Sequence, residues 1–327
     1  MADVLCFGDL LIDFVPMESG VSFADLPAFK PAPGGAAANV AVGLARLGTP
    51  SAFMGKVGDE PFGHLLADVL RREGIDIAAI RFDSRARTAL AFVTLTKEGE
   101  RDFLFYRHPS ADMMFTPAEV DLAAIQASRI FHFDSISLAA PQSRATALFA
   151  ADEAARQGKL ISYDVNLRLS LWDSEEEARA GIMEGLRRAA VVKLSDDELA
   201  FLTGGTSPGD IRARLWHDGL RLVALSLGER GCVAVTERGE IAVASIAVQP
   251  VDTTGAGDGF MAGLLSGIAR NPAVLDDDAA LAELCRFANA VGAITTTVRG
   301  AIPALPTAAA VEALLSGHSS GAQPMPA

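Results

Sequence analysis

The segment from 250 to 270, PVDTTGAGDGFMAGLLSGIAR, places a carboxylate beside a glycine-rich turn at the start of a predicted helix. The small residues Gly255, Ala256 and Gly257 let the backbone approach an anion closely, and the free amides of a helix N-terminus point at it. Asp258 follows directly, and a carboxylate at that place is useful if it takes a proton from a hydroxyl that attacks a phosphate. The alternative is that Asp258 only caps the helix, a stabilisation of about 1 kcal/mol.

Two further segments carry groups that suit a ligand rich in hydroxyls. Asp9 and Asp13 lie in GDLLID, just after the first predicted strand, where α/β folds place ligand groups. Gly34 and Gly35 open the first long predicted helix, and Asn39 in its early turns offers both a donor and an acceptor to a polyol. The alternative is that these residues form a solvated turn and a flexible loop.

The glycines after residue 256 also allow a weaker interpretation. Gly257, Gly259 and Gly263 fit GxGxxxG, a loose form of the dinucleotide fingerprint, which leaves a nicotinamide oxidoreductase as an alternative. The turn after the first predicted strand has no such fingerprint, and the two Gly-Lys pairs of the chain lack the Ser or Thr of a P-loop.

The elements that must position these residues alternate along most of the chain, which favours a mostly parallel sheet with helices on both faces. Two stretches interrupt the alternation, at about 14–33 and 88–107, and the second has strand-like runs around a turn signal at Lys97–Glu100. These inserts predict either a small second sheet or an edge hairpin of the main sheet. The predicted strands are 4–7, 51–57, 130–133, 160–164, 191–194 and 223–227, and the predicted helices are 36–47, 62–73, 143–157, 175–189 and 211–217.

The composition limits the partners. The 327 residues include 28 Lys and Arg and 41 Asp and Glu, which gives a formal charge of −13. Such a chain lacks the basic face that binds nucleic acid, and an anionic membrane would repel it. We therefore expect small-molecule partners, no nucleic-acid or membrane partner, and a phosphate site that relies on backbone amides and a few local cations.

The cysteines and the N-terminus predict a cytoplasmic protein. Cys6, Cys232 and Cys285 are far apart and include no CxxC pair, which argues against a disulfide framework and a zinc site. The apolar N-terminal stretch has acids and no basic region, so it is not typical of a signal peptide. No run of about 18 apolar residues predicts a membrane-spanning helix.

Together the segments resemble the ribokinase-like (PfkB) family of carbohydrate kinases, over about residues 3–313. The stretch Gly34–Asn39, followed by Gly48 and Gly58, is similar to the first signature of the family, and DTTGAGD at 252–258 is similar to the second. Longer segments resemble the fructokinase branch: GDLLIDFVP (8–16), YRHPSADM (106–113), YDVNLRLSLW (163–172), KLSDDELAFLTG (193–204), LSLGERGC (225–232) and FANAVGAITTTVRGAIPALPT (287–307).

The resemblance implies a ribokinase-like α/β kinase domain over 1–313, with the inserts at 14–33 and 88–107 forming a small β-sheet lid. It also implies a homodimer through that lid. Residues 314–327 are expected to form a flexible tail.

The resemblance also implies a role for each matching residue. Asp258 is the general base, and the amides of Gly255, Ala256 and Gly257 form an anion hole. The groups implied to hold the sugar hydroxyls are Asp9, Asp13, Gly34, Gly35 and Asn39, with Phe105 as a further sugar contact. Arg107 and Arg168 approach the sugar and the transferred phosphate. The nucleotide groove is implied to contain Lys193, Ser226, Gly228, Gly231, Gly257 and Asn289. Glu198 belongs to a magnesium motif, and Asp252 and Thr254 lie near a monovalent cation.

Three positions depart from the pattern of the family. Ser195 stands where Asn is usual, Val165 where Pro is frequent, and His108 where Asn is frequent. His108 lies beside Arg107 and therefore bears on the choice of substrate.

We expect MgATP-dependent phosphorylation of D-fructose at its 6-hydroxyl, with Mg²⁺ and K⁺ as cofactors. The nearest alternative is a 2-keto-3-deoxygluconate kinase, because Phe105-Tyr106-Arg107 followed by Ser110-Ala111 resembles that branch and an Arg suits a substrate carboxylate. Ribokinase or another ketose kinase is a further alternative. A catalytically inactive sugar- or nucleotide-binding regulatory protein is the alternative from a different class.

Overall fold

Two sheets organise the part of the chain that the structure describes, residues 2–18, 23–95 and 101–318 of a computed structural model. The strands in chain order are β1 (Val4–Phe7), β2 (Leu11–Pro16), β3 (Phe29–Gly34), β4 (Ser51–Gly58), β5 (Asp76–Asp83), β6 (Leu90–Leu95), β7 (Arg101–Tyr106), β8 (Ile130–Asp134), β9 (Leu160–Asp164), β10 (Val191–Ser195), β11 (Leu222–Ser226), β12 (Cys232–Val235) and β13 (Glu240–Val243). The helices are α1 (Ala36–Arg46), α2 (Pro61–Arg72), α3 (Leu122–Ala127), α4 (Pro141–Arg156), α5 (Glu175–Leu186), α6 (Asp196–Thr203), α7 (Pro208–Arg214), α8 (Ala256–Arg270), α9 (Asp278–Thr295), α10 (Ala301–Ala304) and α11 (Ala308–His318).

The larger sheet has the strand order β13-β12-β11-β10-β9-β8-β1-β4-β5. Seven neighbouring strands of this sheet run parallel, namely β11, β10, β9, β8, β1, β4 and β5. Strands β12 and β13 continue the sheet antiparallel at the edge next to β11. Central strands such as β1 are buried on both sides, which is why they read as continuous apolar runs in the sequence. The predicted mostly parallel sheet is confirmed.

Helices cover both faces of this sheet, also as predicted. Successive residues of a strand point to opposite faces, and those of β1 divide in this way: Val4 and Cys6 belong to one buried cluster, Leu5 and Phe7 to another. The first cluster includes residues of α1, α2, α8 and α9, and the second includes residues of α4, α5, α6 and α7.

Helix α8 packs closely against its two neighbours through small residues. A Cβ added at Gly43 of α1 would lie 2.6 Å from the Cβ of Ala262, and one added at Gly263 would lie 2.9 Å from the Cα of Ala288 in α9. The backbones of the three helices therefore approach one another where larger side chains would separate them.

The smaller sheet has the order β3-β2-β6-β7, in which only the β2–β6 pairing is parallel. Of the two possibilities for the inserts, the structure has the small second sheet. The first insert begins earlier than predicted, since β2 starts at Leu11. The predicted turn at Lys97–Glu100 lies outside the described residues.

Element boundaries differ from the predictions by a few residues. The helix predicted at 211–217 is α7, which begins at Pro208 because Ser207 and Asp210 form a capping box around the proline at its first position. Helix α11 continues to His318, and 319–327 lie outside the described residues, so the flexible tail stays a prediction. In the described part of the chain, no helix combines the length and the apolar character that crossing a membrane requires.

Candidate active site

A cleft of about 890 Å³ lies where the carboxyl ends of several parallel strands meet the smaller sheet. This is the edge at which open α/β sheets bind ligands. Its wall contains most of the residues that the sequence singled out: Asp9, Asp13, Gly35, Asn39, Phe105, Arg168, Lys193, Glu198, Ser226, Gly228, Thr254, Gly255, Gly257 and Asp258.

The glycine-rich turn precedes α8 as predicted, with Gly255 as the residue before the helix. Gly255 has a φ of 78°, and a Cβ there would lie 2.7 Å from that of Ala301, so this position needs glycine twice over. Asp252 holds the turn, because its two carboxylate oxygens accept the backbone N–H groups of Thr254 at 2.7 Å and Gly300 at 2.9 Å. The N–H of Ala256 donates to the carbonyl of Thr253 at 3.2 Å within this turn, and the next residues of α8, Gly257 and Asp258, line the cleft.

Asp258 is half-buried and hydrogen-bonded across the cleft. The Nδ2 of Asn39 donates to its Oδ2 at 2.8 Å. Desolvation raises the pKa of Asp258, and the bond from Asn39 and the charges of Lys193 and Arg168 oppose that rise. Gly255 caps α8 without a side-chain bond, so the carboxylate is not the N-cap that the alternative interpretation required.

Asp9 and Asp13 bring two more carboxylates to the same cleft. The Oδ1 of Asp9 accepts the N–H of Ala36 at the start of α1, at 3.1 Å. Burial raises the pKa of Asp9 to about 6, although Arg107 opposes the rise. Burial and the nearby charges of Asp9 and Asp258 raise the pKa of Asp13 to about 7. The site is therefore built to hold acids that lose part of their charge near neutral pH.

The two glycines before α1 and the aromatic residue of β7 complete this side. Gly35 lines the cleft, whereas Gly34 packs against Asp13, whose Oδ2 would lie 2.1 Å from an added Cβ. Phe105 lies in the wall of the cleft and of an adjoining cavity of about 240 Å³.

The two predicted arginines are placed differently. Arg168 lines the cleft, and its Nη1 donates to the carbonyl of Leu167 at 2.9 Å. Arg107 lines the adjoining cavity instead and is buried against Asp112. A direct contact of Arg107 with a substrate stays a prediction.

Lys193 lies beneath the glycine-rich turn. Its Nζ donates to both oxygens of Asp164, at 3.0 and 3.2 Å, and would lie 2.9 Å from a Cβ added at Gly257. Burial alone would lower the pKa of Lys193, but Asp164, Glu198 and Asp258 raise it to about 12. The ammonium group is therefore charged at neutral pH and close to the amides at the start of α8.

Glu198 is fixed by backbone groups. Its carboxylate accepts the N–H of Ser195 at 2.7 Å and of Leu167 at 2.9 Å, and the Oγ of Ser195 accepts the N–H of Glu198 in return. Ser195 thus serves as the N-cap of α6 at the position where the family pattern has Asn. No cluster of three or more His, Cys, Asp or Glu side chains that could hold a metal ion was found among the described residues.

The residues predicted for the nucleotide groove divide into two sets. Ser226 and Gly228 line the cleft after β11. Gly231 packs against the backbone at the end of β13, where the carbonyl of Val243 would lie 2.1 Å from an added Cβ. The Nδ2 of Asn289 donates to that carbonyl and to the next one, at 3.1 and 3.2 Å. Gly231 and Asn289 therefore shape the segment behind the groove, and their contact with a nucleotide stays a prediction.

Two residues at the site were missed from the sequence. Asp164 pairs with Lys193, which is its neighbour in register across β9 and β10. Asn166 is buried in the cleft wall and, among the described residues other than glycine, alone has a positive φ, of 36°. Its N–H is accepted by Asp164 at 3.2 Å. The available signal was the pair of polar residues Asp164 and Asn166 at the carboxyl end of a buried strand.

The parallel sheet, the amides at the start of α8 and the carboxylate beside them define a phosphotransferase that acts on small molecules. Comparison with known proteins agrees. The model of the pfkB family of carbohydrate kinases matches residues 1–308. The chain is 54% identical over 320 residues to probable fructokinase-7 of Arabidopsis thaliana, covering 97% of this chain and 93% of that relative.

Solved structures of similar proteins have the same fold. One is fructokinase with bound ATP from Xylella fastidiosa, with a TM-score of 0.90, 34% identity, and coverage of 97% of this chain and 99% of the other. Another is fructokinase from Vibrio cholerae O395 in a fructose, ADP and calcium ion bound form, with a TM-score of 0.86, 36% identity, and coverage of 96% and 99%. The chain belongs to the pfkB family of carbohydrate kinases. The predicted family, ribokinase-like fold and enzyme class are confirmed.

Proposed function

We propose that the protein is a fructokinase that transfers the γ-phosphoryl group of ATP to the 6-hydroxyl of D-fructose. The observation that carries the proposal is the bond between Asn39 and Asp258, which joins the polyol-binding side of the cleft to the start of α8. The similarity to fructokinases at 54% identity over nearly the whole chain supports fructose as the sugar.

Asp258 acts as the general base. Its carboxylate takes the proton of the 6-hydroxyl as the oxygen forms a bond to the γ-phosphorus, while the bond from that phosphorus to the leaving oxygen of ADP breaks. The amides around Gly255, Ala256 and Gly257 stabilise the charge on the transferred group, and Lys193 adds a positive charge beneath them.

Carboxylates and amides hold the sugar. Asp9 and Asp13 accept hydrogen bonds from sugar hydroxyls, and Asn39 orients both the sugar and the base. Phe105 covers the sugar, and Arg168 contributes a positive charge that lowers the pKa of Asp13 and Asp258 against the larger effect of burial. Gly35 allows the sugar to approach the backbone, and Gly34 leaves room for the carboxylate of Asp13 that holds it.

The nucleotide is bound at the carboxyl ends of β10 and β11. Ser226 and Gly228 line that part of the cleft, with Gly231 and Asn289 supporting it. The acids around Glu198 fit a Mg²⁺ ion held through water and nucleotide phosphates, since Mg²⁺ needs few direct protein ligands. Such an ion supplies positive charge that offsets the phosphate oxygens. Asp252 and Thr254 fit a K⁺ site, because the carboxylate already orders the turn before α8.

The smaller sheet serves as a lid and as a dimer surface. Its outer face is aromatic: the rings of Phe14 and Phe92 stack at 4.8 Å, and Phe92 contacts Tyr106 at 5.4 Å. Leu104 and Tyr106 on the same face are 47% and 59% exposed, which suits a second copy of the chain. Within the kinase domain, residues 1–313, this smaller sheet would move to close the cleft over the sugar. The free cysteines support a cytoplasmic location.

The test is ATP-dependent release of ADP in the presence of Mg²⁺ and K⁺, with D-fructose, ribose, glucose and 2-keto-3-deoxygluconate in parallel. We expect the highest kcat/KM with D-fructose. A preference for another sugar would retain the kinase and reject fructose. A folded protein that binds ATP without turnover of any sugar would support the inactive regulatory alternative.

A further inference from the structure

Arg107 is engaged by a carboxylate of its own chain. Its guanidinium forms an ion pair with Asp112, and the side chains of the two residues are only 5% and 6% exposed. The Oγ of Ser110 donates to the other oxygen of Asp112 at 2.5 Å. One carboxylate oxygen of Asp112 therefore binds the hydroxyl of Ser110, and the other binds the guanidinium of Arg107.

The backbone that carries Asp112 is attached to the main body of the protein. The N–H of Ala111 donates to the carbonyl of Arg87 at 2.8 Å, and the carbonyl of Met114 accepts a bond from the buried Nζ of Lys56. Arg107, in contrast, directly follows β7 of the smaller sheet. The ion pair thus fixes the guanidinium at the junction between the two sheets.

The positive charge of Arg107 is balanced by carboxylates of the protein itself. Burial would lower its pKa, but the charges of Asp112 and Asp9 raise it. Arg107 lines the adjoining cavity rather than the main cleft, and Phe105 and Ser170 lie in the wall of both. A ligand at the sugar end of the main cleft therefore meets the carboxylates of Asp9, Asp13 and Asp258 and the cations Arg168 and Lys193, without direct access to the guanidinium of Arg107.

We propose that Asp112 is a specificity-determining residue, which withholds Arg107 from the substrate and so favours a neutral ketose over a sugar acid. The proposal rests on the proposed function and concerns the same cleft. A substrate carboxylate would be repelled by the acids of the cleft, and a released guanidinium would add a further positive charge to those of Arg168 and Lys193 to offset that repulsion. Rejection of the acid thus depends on an ion pair that does not touch the substrate.

The test compares the wild type with Asp112→Asn, which removes the anchoring charge and keeps the side-chain volume. kcat/KM is measured for D-fructose and for 2-keto-3-deoxygluconate. We expect the ratio of the two values to move about tenfold or more toward the acid, because the released guanidinium forms a charge-assisted pair with its carboxylate. An unchanged ratio in a folded variant overturns the proposal.

Further variants separate the release of Arg107 from general damage. Ser110→Ala removes one bond to Asp112 but keeps the ion pair, so the ratio should stay within about twofold of the wild type. Adding Arg107→Met to Asp112→Asn should abolish the gain with the acid, and Asp112→Glu should restore the preference for fructose. A gain that persists without Arg107 contradicts the proposal.

Binding without turnover keeps this proposal distinct from the proposed function. The rise in Tm that each sugar causes is measured without ATP. A larger rise in Tm with the keto acid in Asp112→Asn than in the wild type supports the proposal. This holds even if the wild type fails to phosphorylate fructose, because that failure refutes only the proposed function. Equal rises in Tm with the keto acid in the wild type and in Asp112→Asn overturn the proposal about Asp112.

If Asp112→Asn does not fold, Arg107→Met in the wild-type chain replaces it. Because Asp112 already withholds the guanidinium, this change should alter the binding of both sugars by the same factor. A loss confined to the keto acid would show that Arg107 contacts its carboxylate in the wild type, and the proposal would be wrong.

Discussion

Asn39 and Asp258 are 219 positions apart in the chain, and the Nδ2 of one donates to the Oδ2 of the other at 2.8 Å. Asn39 lies on α1, whose start binds the carboxylate of Asp9, and Asp258 lies in the first turn of α8. The bond therefore joins the two helix starts that face the cleft. It also orients one oxygen of the carboxylate and leaves the group in position to act as a base.

Asp258→Asn should lower kcat by about 10²–10⁴-fold without loss of the fold, because the amide cannot take a proton. The matched control is Asp210→Asn, since Asp210 is likewise the third residue of its helix but lies in a capping box away from the cleft. Asp210→Asn should lower Tm and keep kcat. The two variants are compared by steady-state kinetics and thermal unfolding, and normal turnover in folded Asp258→Asn would exclude it as the base.

Asn39→Ala should move the acidic limb of the kcat/KM profile to higher pH. The bond from Asn39 lowers the pKa of Asp258, so its removal raises that pKa, and the base must be ionised to work. We also expect kcat/KM at neutral pH to fall by about 10–100-fold, because the variant loses a hydrogen bond to a charged group and no longer holds the base in place. A full pH–rate profile of both proteins checks this. An acidic limb at the same pH in the variant would mean that the bond does not tune the base.

Asp13→Asn should raise Tm at pH 8 while it weakens fructose binding. The pKa of Asp13 is about 7 in the folded protein and ordinary when unfolded, so the folded state binds a proton more tightly. The ionised carboxylate therefore destabilises the fold fully above pH 7, and the penalty shrinks as pH falls toward the unfolded pKa. Thermal unfolding from pH 8 to pH 4 should show the difference in Tm decline. A constant difference would contradict the assignment.

Gly255→Ala should abolish most turnover, whereas Gly204→Ala should not. Both glycines have similar positive φ values, 78° and 75°, so an L side chain strains both by about 1–2 kcal/mol. Only at Gly255 would the new Cβ meet another residue, Ala301, and displace the amides of the anion hole. Equal effects of the two substitutions on kcat would show that backbone strain, and not the position of the amides, accounts for the loss.

Much of the site could be predicted because its parts are local in sequence. The turn at Gly255, the helix after it and Asp258 are contiguous, and the physical argument for each needs only the neighbouring residues. The sheet followed from apolar runs that alternate with helical periodicity. The small second sheet was one of two possibilities, since the sequence pattern of a hairpin does not specify its partner strands.

The rest depended on register between strands that are distant in sequence. Asp164 meets Lys193 because β9 and β10 lie side by side with those two residues in register, and nothing in either strand alone indicates the pairing. The sequence likewise did not indicate that a turn of the backbone after Arg107 brings Asp112 against its guanidinium. Asn289 lies in α9, and its side chain bonds to the backbone carbonyls of Val243 and Ala244 at the end of β13.

The close packing of α8 affects which substitutions this protein can tolerate. Gly43 and Gly263 leave no room for a larger side chain where α8 meets α1 and α9. Because Asp258 is attached to the start of α8, a larger residue at either glycine would displace the base without touching the substrate. Sequence drift should therefore be slow along the buried length of this helix and faster on the smaller sheet, so that substrate preference can diverge while the phosphoryl-transfer machinery stays the same.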